Sequence, residues 1–131
     1  MSVELINPEG LYEPGTYTHV AIGSGSRLVY ISGQVGFDAE GQLVGEGNHV
    51  VQAQQAYRNV ATAIESAGGT VEDILKITVY VAGHRTDLIE PLRDARNEVF
   101  GEHRPASTFI GVEKLIYPTL LIEVEAVAVL E

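Results

Sequence analysis

The C-terminal segment constrains the fold more than any other part of the chain, because it alternates between the two faces of a β-strand. The even-numbered residues of 120–128 are all apolar, and the odd-numbered residues of 121–129 are apolar except for Glu123 and Glu125. A period of two indicates a strand, and two largely apolar faces predict a central strand covered on both sides. The two carboxylates share one face, where an ionised group is rarely buried without a partner.

The composition predicts a single globular domain spanning residues 1–131, with 45% hydrophobic residues. Eight basic residues stand against 18 acidic ones, and the formal charge of -10 argues against nucleic acid and anionic membranes as partners. The chain has no cysteine, which excludes disulfides, thiolate catalysis and cysteine-based metal sites.

The N-terminus, Met1 to Glu4, has neither a basic region nor an apolar run, so it does not have the pattern of a signal peptide. No segment approaches the roughly 20 apolar residues of a membrane span. We therefore expect a cytoplasmic protein. The four histidines form no helical i, i+4 pair and no cluster at metal-ligand spacing, so no metal is expected.

The N-terminal half is predicted to consist of short strands and turns. Residues 2–16 contain two prolines and two glycines and are typical of an irregular arm. Strands are predicted at 17–22 and 28–35, joined by a hairpin turn at 23–26, with a further short strand at 42–44.

A helix is predicted from Asn48, the N-cap, to Ala67, with Gly68 as its stop signal. Its apolar stripe is rich in alanine, which lets a helix lie close to a sheet. Residues 74–81 are dominated by β-branched side chains and predict a strand.

A second helix is predicted to end at Gly101, and two starts are compatible with the sequence. Asp87 with Glu90 resembles a capping pair, whereas Pro91 is suited to the first helical position. Arg93 and Arg96 lie one turn apart and share a face of this helix.

The order of elements predicts an α+β fold with a mixed sheet and two helices packed on one face. Two helices cover only one face of such a sheet. The opposite face still carries apolar side chains and requires a partner subunit, which predicts an oligomer.

Several short patterns, found in order along nearly the whole chain, resemble the YjgF/RidA family of imine and enamine deaminases. They are Tyr17-Thr18-His19, Tyr30-Ile31-Ser32-Gly33-Gln34, Ala67-Gly68-Gly69, residues 74–81, Pro105-Ala106 and residues 122–129. The resemblance implies a chorismate-mutase-like fold, a homotrimer with clefts between subunits, and hydrolysis of small reactive metabolites without a cofactor.

One position departs from the family pattern. The resemblance implies an arginine two residues after Pro105, where it holds the substrate carboxylate, but this chain has Ser107. A charge-assisted hydrogen bond contributes about 1.5–3 kcal/mol, so its loss predicts a roughly tenfold to hundredfold weaker preference for 2-iminoacids. We therefore expect a non-standard substrate preference.

Glu123 is the candidate catalytic residue. By resemblance it is the acid that positions and activates the water attacking the imine carbon, and a desolvated carboxylate in a strand suits acid/base chemistry. The competing interpretation is an edge or interface carboxylate with a basic neighbour. The resemblance gives Glu125 no catalytic role, so we assign it a structural one.

Tyr17, Ser32 and Gly33 match the family's other substrate-binding positions. Tyr17 offers a ring and a hydroxyl to a flat substrate, although a tyrosine at the start of a strand also serves interface packing. Gly33 allows backbone groups to approach a ligand, and the alternative is a bulge or a steric requirement of the sheet.

Arg93 and Arg104 are the candidate replacements for the missing arginine, and either is also accounted for as a solvated surface residue. Phe109 lies on the strand of Ser107 and is a candidate for lining the cleft or packing in the core.

Two functions remain open on the sequence. The first is a RidA-like hydrolytic deaminase, and the alternative, favoured by Ser107, is a non-catalytic trimeric protein that binds a small metabolite or regulates a partner. The ribonuclease activity sometimes attached to the family fits poorly with a charge of -10.

Overall fold

A computed structural model of the chain describes residues 3–131. In chain order, the elements are β1 (Val3–Ile6), β2 (Val20–Gly23), β3 (Arg27–Gln34), α1 (His49–Ser66), β4 (Ile74–Ala82), α2 (Ile89–Phe100), β5 (Ala106–Val112) and β6 (Ile122–Leu130). Short 3₁₀ turns at Val71–Asp73 and Thr86–Leu88 precede β4 and α2.

Four strands form a mixed sheet in the order β3-β6-β4-β5, in which β4 and β5 are parallel and the other pairs antiparallel. The prediction that the C-terminal strand is central is confirmed, since β6 lies between β3 and β4. Its even-numbered residues are buried, whereas Glu123 is half-buried and Glu125 exposed on the other face.

Both helices pack on one face of this sheet, as predicted. Asn48 caps α1 through its side-chain oxygen, which accepts a hydrogen bond from the Val51 N–H at 3.1 Å. Ala53 and Ala56 are fully buried against the sheet, so the alanine-rich stripe permits the close approach that the sequence indicates.

The second helix begins at neither predicted position. A 3₁₀ turn at Thr86–Leu88 leads into α2 at Ile89, and the Asp87 carboxylate pairs with Arg85 at 3.1 Å instead of capping. Pro91 falls within the first turn, where its missing N–H is not needed. Gly101 ends the helix with φ +60°, as predicted.

Three N-terminal predictions are wrong. Within the predicted arm, whose residue 2 lies outside the described part, Val3–Ile6 forms β1. The next strand is shorter than predicted, Val20–Gly23, and it pairs with β1 and not with β3. At 42–44 there is a single bridge, between Phe37 and Leu43, and no strand.

The predicted hairpin does not form because β3 pairs with β6 instead. The connection between β2 and β3 runs against the end of β6, where the Ser26 N–H donates to the Leu130 carbonyl at 3.0 Å. A side chain at Gly25 would place its Cβ 2.3 Å from that oxygen, so a residue without one is required there. The segment thus links two sheets.

The sheet face opposite the helices carries exposed apolar side chains. Leu28 and Tyr30 on β3 are 64% and 74% exposed. Contiguous exposed apolar surface on a soluble domain marks an interaction site. None of the helices within residues 3–131 is long and apolar enough to cross a lipid bilayer.

Candidate functional site

A cavity of about 210 Å³ lies between α2 and the sheet. Its walls are mainly apolar, formed by Val79, Ile89, Leu92 and Phe109. The polar groups that line it include Tyr17, Ser107, Arg93 and Arg96. Apolar walls with a few convergent polar groups are typical of small-molecule sites, and the volume suits a small metabolite.

The cavity brings together four of the residues singled out on the sequence. Tyr17, Arg93, Ser107 and Phe109 all line it, although they come from the segment before β2, from α2 and from β5. The backbone N–H of Thr18 donates to the carbonyl of Pro105 at 3.3 Å, which fixes the segment of Tyr17 beside the start of β5.

Glu123 lies on the opposite face of the sheet from this cavity. Ile77 on β4 pairs with both Ser107 on β5 and Ala126 on β6, so Ser107 shares a face with the even-numbered residues of β6. Glu123 pairs with Tyr80 and points the other way. Within one chain, the candidate catalytic acid and the cavity are therefore separated by the sheet.

Gly33 lies directly beside the side chain of Glu123. The β3–β6 register shifts between Ile31 and Gln34, which marks an irregularity at Ser32 and Gly33. A Cβ at Gly33 would lie 1.9 Å from the Glu123 Oε2 atom, so the carboxylate occupies the space of a side chain. Gly33 is thus a steric requirement of the sheet, and the group that approaches it closely is Glu123.

Tyr17 is held by neighbouring aromatic residues. Its hydroxyl is hydrogen-bonded to that of Tyr12, and its ring meets His19 edge-on at 5.4 Å. The hydrogen bond with Tyr12 raises the pKa of Tyr17 above its usual range, so the phenol is neutral at physiological pH. Tyr17 precedes β2 and does not begin a strand, contrary to the sequence-based expectation.

Arg104 does not line the cavity. Its Nη1 atom donates to the Gly101 carbonyl at 2.6 Å and to the His103 carbonyl at 3.4 Å. These bonds tie the guanidinium to the end of α2, where cations are favourable. Of the two arginines singled out on the sequence, Arg93 is therefore the one that reaches the cavity.

Arg96 lines the cavity and was not among the predicted site residues. The residue is only 6% exposed. Its Nε and Nη2 atoms both donate to Oδ1 of Asn97, at 3.2 and 3.0 Å. The signal for it in the sequence is its position four residues after Leu92, where an arginine interrupts the apolar stripe.

The charge of Arg96 has no counter-ion in the described structure. Burial lowers the pKa of Arg96, Tyr57 partly offsets this, and Arg104 and Arg93 lower it further. Burial also raises the pKa of Tyr57, so this phenol is neutral. Among residues 3–131, one ion pair lies within 4 Å, and it joins Arg85 and Asp87. Neither Arg93 nor Arg96 has an acidic partner within that distance in this part of the chain.

No group of three or more histidine and acidic side chains within residues 3–131 is arranged to hold a metal ion. The ring of His84 contacts Phe109 at 5.1 Å between centroids, and its Nδ1 atom is buried without a hydrogen-bond partner. The polar groups that line the cavity are guanidinium, phenol and hydroxyl groups, all of which can donate hydrogen bonds to an anion.

A mixed sheet with two helices on one face and a small, partly cationic cavity beneath a helix defines a small-molecule-binding α+β domain. Residues 10–130 match the family model described as Endoribonuclease L-PSP. The chain belongs to this family, the YjgF/RidA family.

Individual relatives cover almost the whole chain. A RutC family protein of Pyrococcus abyssi is 31% identical over 98% of this chain and 98% of its own. The crystal structure of the Rid family protein YyfB from Yersinia pestis has a TM-score of 0.93 and 34% identity, covering 99% of this chain and 100% of that one. A 2-iminobutanoate/2-iminopropanoate deaminase of Dermatophagoides farinae is 27% identical over 79% of this chain and 78% of its own.

Proposed function

We propose that the protein is a cytoplasmic, homotrimeric hydrolase that deaminates reactive imines and enamines without a cofactor. The observation that carries the proposal is the half-buried Glu123 carboxylate, which lies against Gly33 on the sheet face that the helices leave uncovered. A relative with deaminase activity in its name supports the same reaction class.

Glu123 supplies the base in this mechanism. Its carboxylate accepts a proton from a water molecule as the water oxygen bonds to the imine carbon, and the C=N electron pair moves to nitrogen. The carboxyl then returns the proton to that nitrogen. The carboxylate next moves the proton of the new hydroxyl to the same nitrogen, the C–N bond breaks, and ammonia and a carbonyl compound leave. An enamine first becomes the imine by taking up a proton at carbon and losing one from nitrogen.

The trimer is part of the proposal because the acid and the cavity lie on opposite faces of one sheet. The two can share a cleft only where one subunit meets the next. The exposed Leu28 and Tyr30 support association through the helix-free face, since such apolar side chains are stabilised when a partner covers them.

A non-catalytic binding protein of the same fold is the second candidate. It is favoured by the lining of the cavity, which includes neither a carboxylate nor an imidazole from residues 3–131, and by Ser107 at the position where the resemblance implies an arginine. RNA cleavage is not proposed, because a formal charge of -10 repels a polyanion.

The Glu123→Gln variant tests the deaminase proposal. With 2-iminobutanoate generated in situ by an amino-acid oxidase, we expect the rate of 2-oxobutanoate formation to fall by at least roughly 100-fold, because shape is kept and the base is removed. Glu125→Gln is the matched control, since Glu125 is exposed on the same face of the same strand. Its rate should stay within about twofold of the wild type.

Unchanged turnover in Glu123→Gln would remove Glu123 from the mechanism. Dissociation of this variant, followed by light scattering, would instead assign Glu123 a structural role. A wild-type trimer that binds small carboxylates and hydrolyses no imine would establish the second candidate.

A further inference from the structure

The guanidinium of Arg96 is a buried charge with no acidic group within 4 Å among residues 3–131. Arg96 is more than nine-tenths buried and lines the cavity, and its hydrogen bonds reach a neutral amide, that of Asn97. Burying an ionised group without an opposite charge is unfavourable. An unfavourable group kept at a cavity wall points to a ligand that compensates for it.

Positive charge converges on this cavity in an otherwise acidic protein. Arg93 lines the same space, and both Arg93 and Arg104 act electrostatically on Arg96. Three of the chain's eight basic residues thus lie together, although 18 acidic residues were available to pair with them. Within residues 3–131, no acidic side chain forms an ion pair with Arg93 or Arg96.

We propose that Arg93 and Arg96 form the carboxylate-binding pair of this cavity, in the role that Ser107 does not fill. The proposal deepens the proposed function and rests on it for the reacting group of the substrate. The anion site is argued from the cavity alone. Guanidinium groups suit this task because their planar N–H donors match the two oxygens of a carboxylate.

The walls of the cavity define the rest of the ligand. Val79, Leu92 and Phe109 surround the space with apolar surface, so the ligand carries a small apolar or aromatic body next to its carboxylate. Ser107 and Tyr17 add two neutral hydroxyls. The ligand class is therefore a small monocarboxylate, such as a 2-iminoacid or 2-oxoacid with an apolar side chain.

Calorimetric titration with 2-oxobutanoate and with its neutral amide, 2-oxobutanamide, tests the pair. For Arg93→Gln and Arg96→Met we expect the Kd of 2-oxobutanoate to rise at least about tenfold, with the amide bound equally by all variants. Arg58→Gln is the matched control. Arg58 is exposed on α1 and bonds to Gln55, so its removal should leave both affinities unchanged.

Thermal unfolding without ligand gives the second measurement. If Arg96 is kept for binding, Arg96→Met should melt at or above the wild-type temperature, because an uncompensated buried charge is replaced by an apolar chain of similar length. If Arg96 is structural, the variant should melt several degrees lower. That result, with 2-oxobutanoate affinity unchanged in Arg93→Gln, would overturn the proposal.

A wild type that binds neither ligand at millimolar concentration would also overturn it. These outcomes are separate from the test of Glu123. Loss of imine hydrolysis in Glu123→Gln with unaltered 2-oxobutanoate affinity in both arginine variants would retain the deaminase and reject the arginine pair. Arginine-dependent binding without any hydrolysis would retain the pair and reject the deaminase.

Discussion

At the scale of single residues, Ser107 and the two arginines occupy one small space. The side chains of Ser107, Arg93 and Arg96 line the same cavity, with β5 supplying the serine and α2 the arginines. A serine is short and uncharged, so it leaves room for guanidinium groups that reach in from the helix. Under the proposal above, the serine at 107 and the arginines at 93 and 96 are two parts of one carboxylate-binding arrangement.

Ser107→Arg should test this coupling directly. The variant adds a third guanidinium beside Arg93 and Arg96, and like charges in a poorly solvated space repel. We expect a lower melting temperature and no gain in kcat/KM on 2-iminoacids. In the Arg93→Gln background, Ser107→Arg should lower the Kd of 2-oxobutanoate at least about tenfold, because the new guanidinium then replaces the one that was removed. Equal effects of Ser107→Arg in both backgrounds would show that the groups do not interact.

At the scale of elements, one buried side chain of α1 is hydrogen-bonded to the segment directly before β6. Gln52 is fully buried, and its Nε2 atom donates to the carbonyls of Gly45 and Thr119, both at 3.1 Å. Its Oε1 atom accepts the Leu121 N–H at 2.8 Å. The amide thus connects the loop before α1 with the segment that leads into Glu123, and it satisfies three backbone groups.

Gln52→Leu should destabilise the protein by about 3 kcal/mol, because three partly buried backbone groups lose their partners and each loss costs about 1 kcal/mol. Urea denaturation of the variant measures this loss. Gln54→Leu on the same helix is the control, since Gln54 bonds to the side chain of Glu98 near the surface, and we expect a change within about 0.5 kcal/mol. Equal stability of the two variants would contradict the role given to Gln52.

At the scale of the whole molecule, the two faces of the sheet differ in how they are covered. The helices α1 and α2 bury one face in the core, whereas the other face exposes Leu28 and Tyr30 and carries Glu123 and Glu125. Assembly through that face would bury apolar surface and enclose the carboxylates. It would also bring Glu123 to a boundary between subunits, where the deaminase mechanism needs it.

We predict a mass of about 42 kDa, three chains of 14.1 kDa, by light scattering after size exclusion. Tyr30→Glu should shift the mass to that of one chain at micromolar concentration, because a charge on the uncovered face resists burial. Thr62→Glu adds the same charge to the exposed side of α1 and should leave the trimer intact. A wild type of 14.1 kDa would contradict the site between subunits.

The amino-acid sequence by itself determined the features that depend on neighbours along the chain. The cap at Asn48, the stop at Gly101 and the alternation along β6 are local patterns, and each is found where the sequence indicates. Caps act within one turn of a helix, and strand periodicity acts within a few residues. The central position of β6 was also predicted, from its largely apolar residues on both faces, and β6 does lie between β3 and β4.

Only the tertiary structure decided which distant segments meet. Local propensity marks strands at β2 and β3, but their partners depend on long-range packing, and β2 pairs with β1 while β3 pairs with β6. The register of Ile77 with Ser107 and Ala126 places Ser107 and Glu123 on opposite faces, since a shift by one residue would reverse this. The role proposed for Arg96 also depends on the tertiary structure. Its burial without a counter-ion among residues 3–131 results from all the residues packed around it, and not from the helix that carries it.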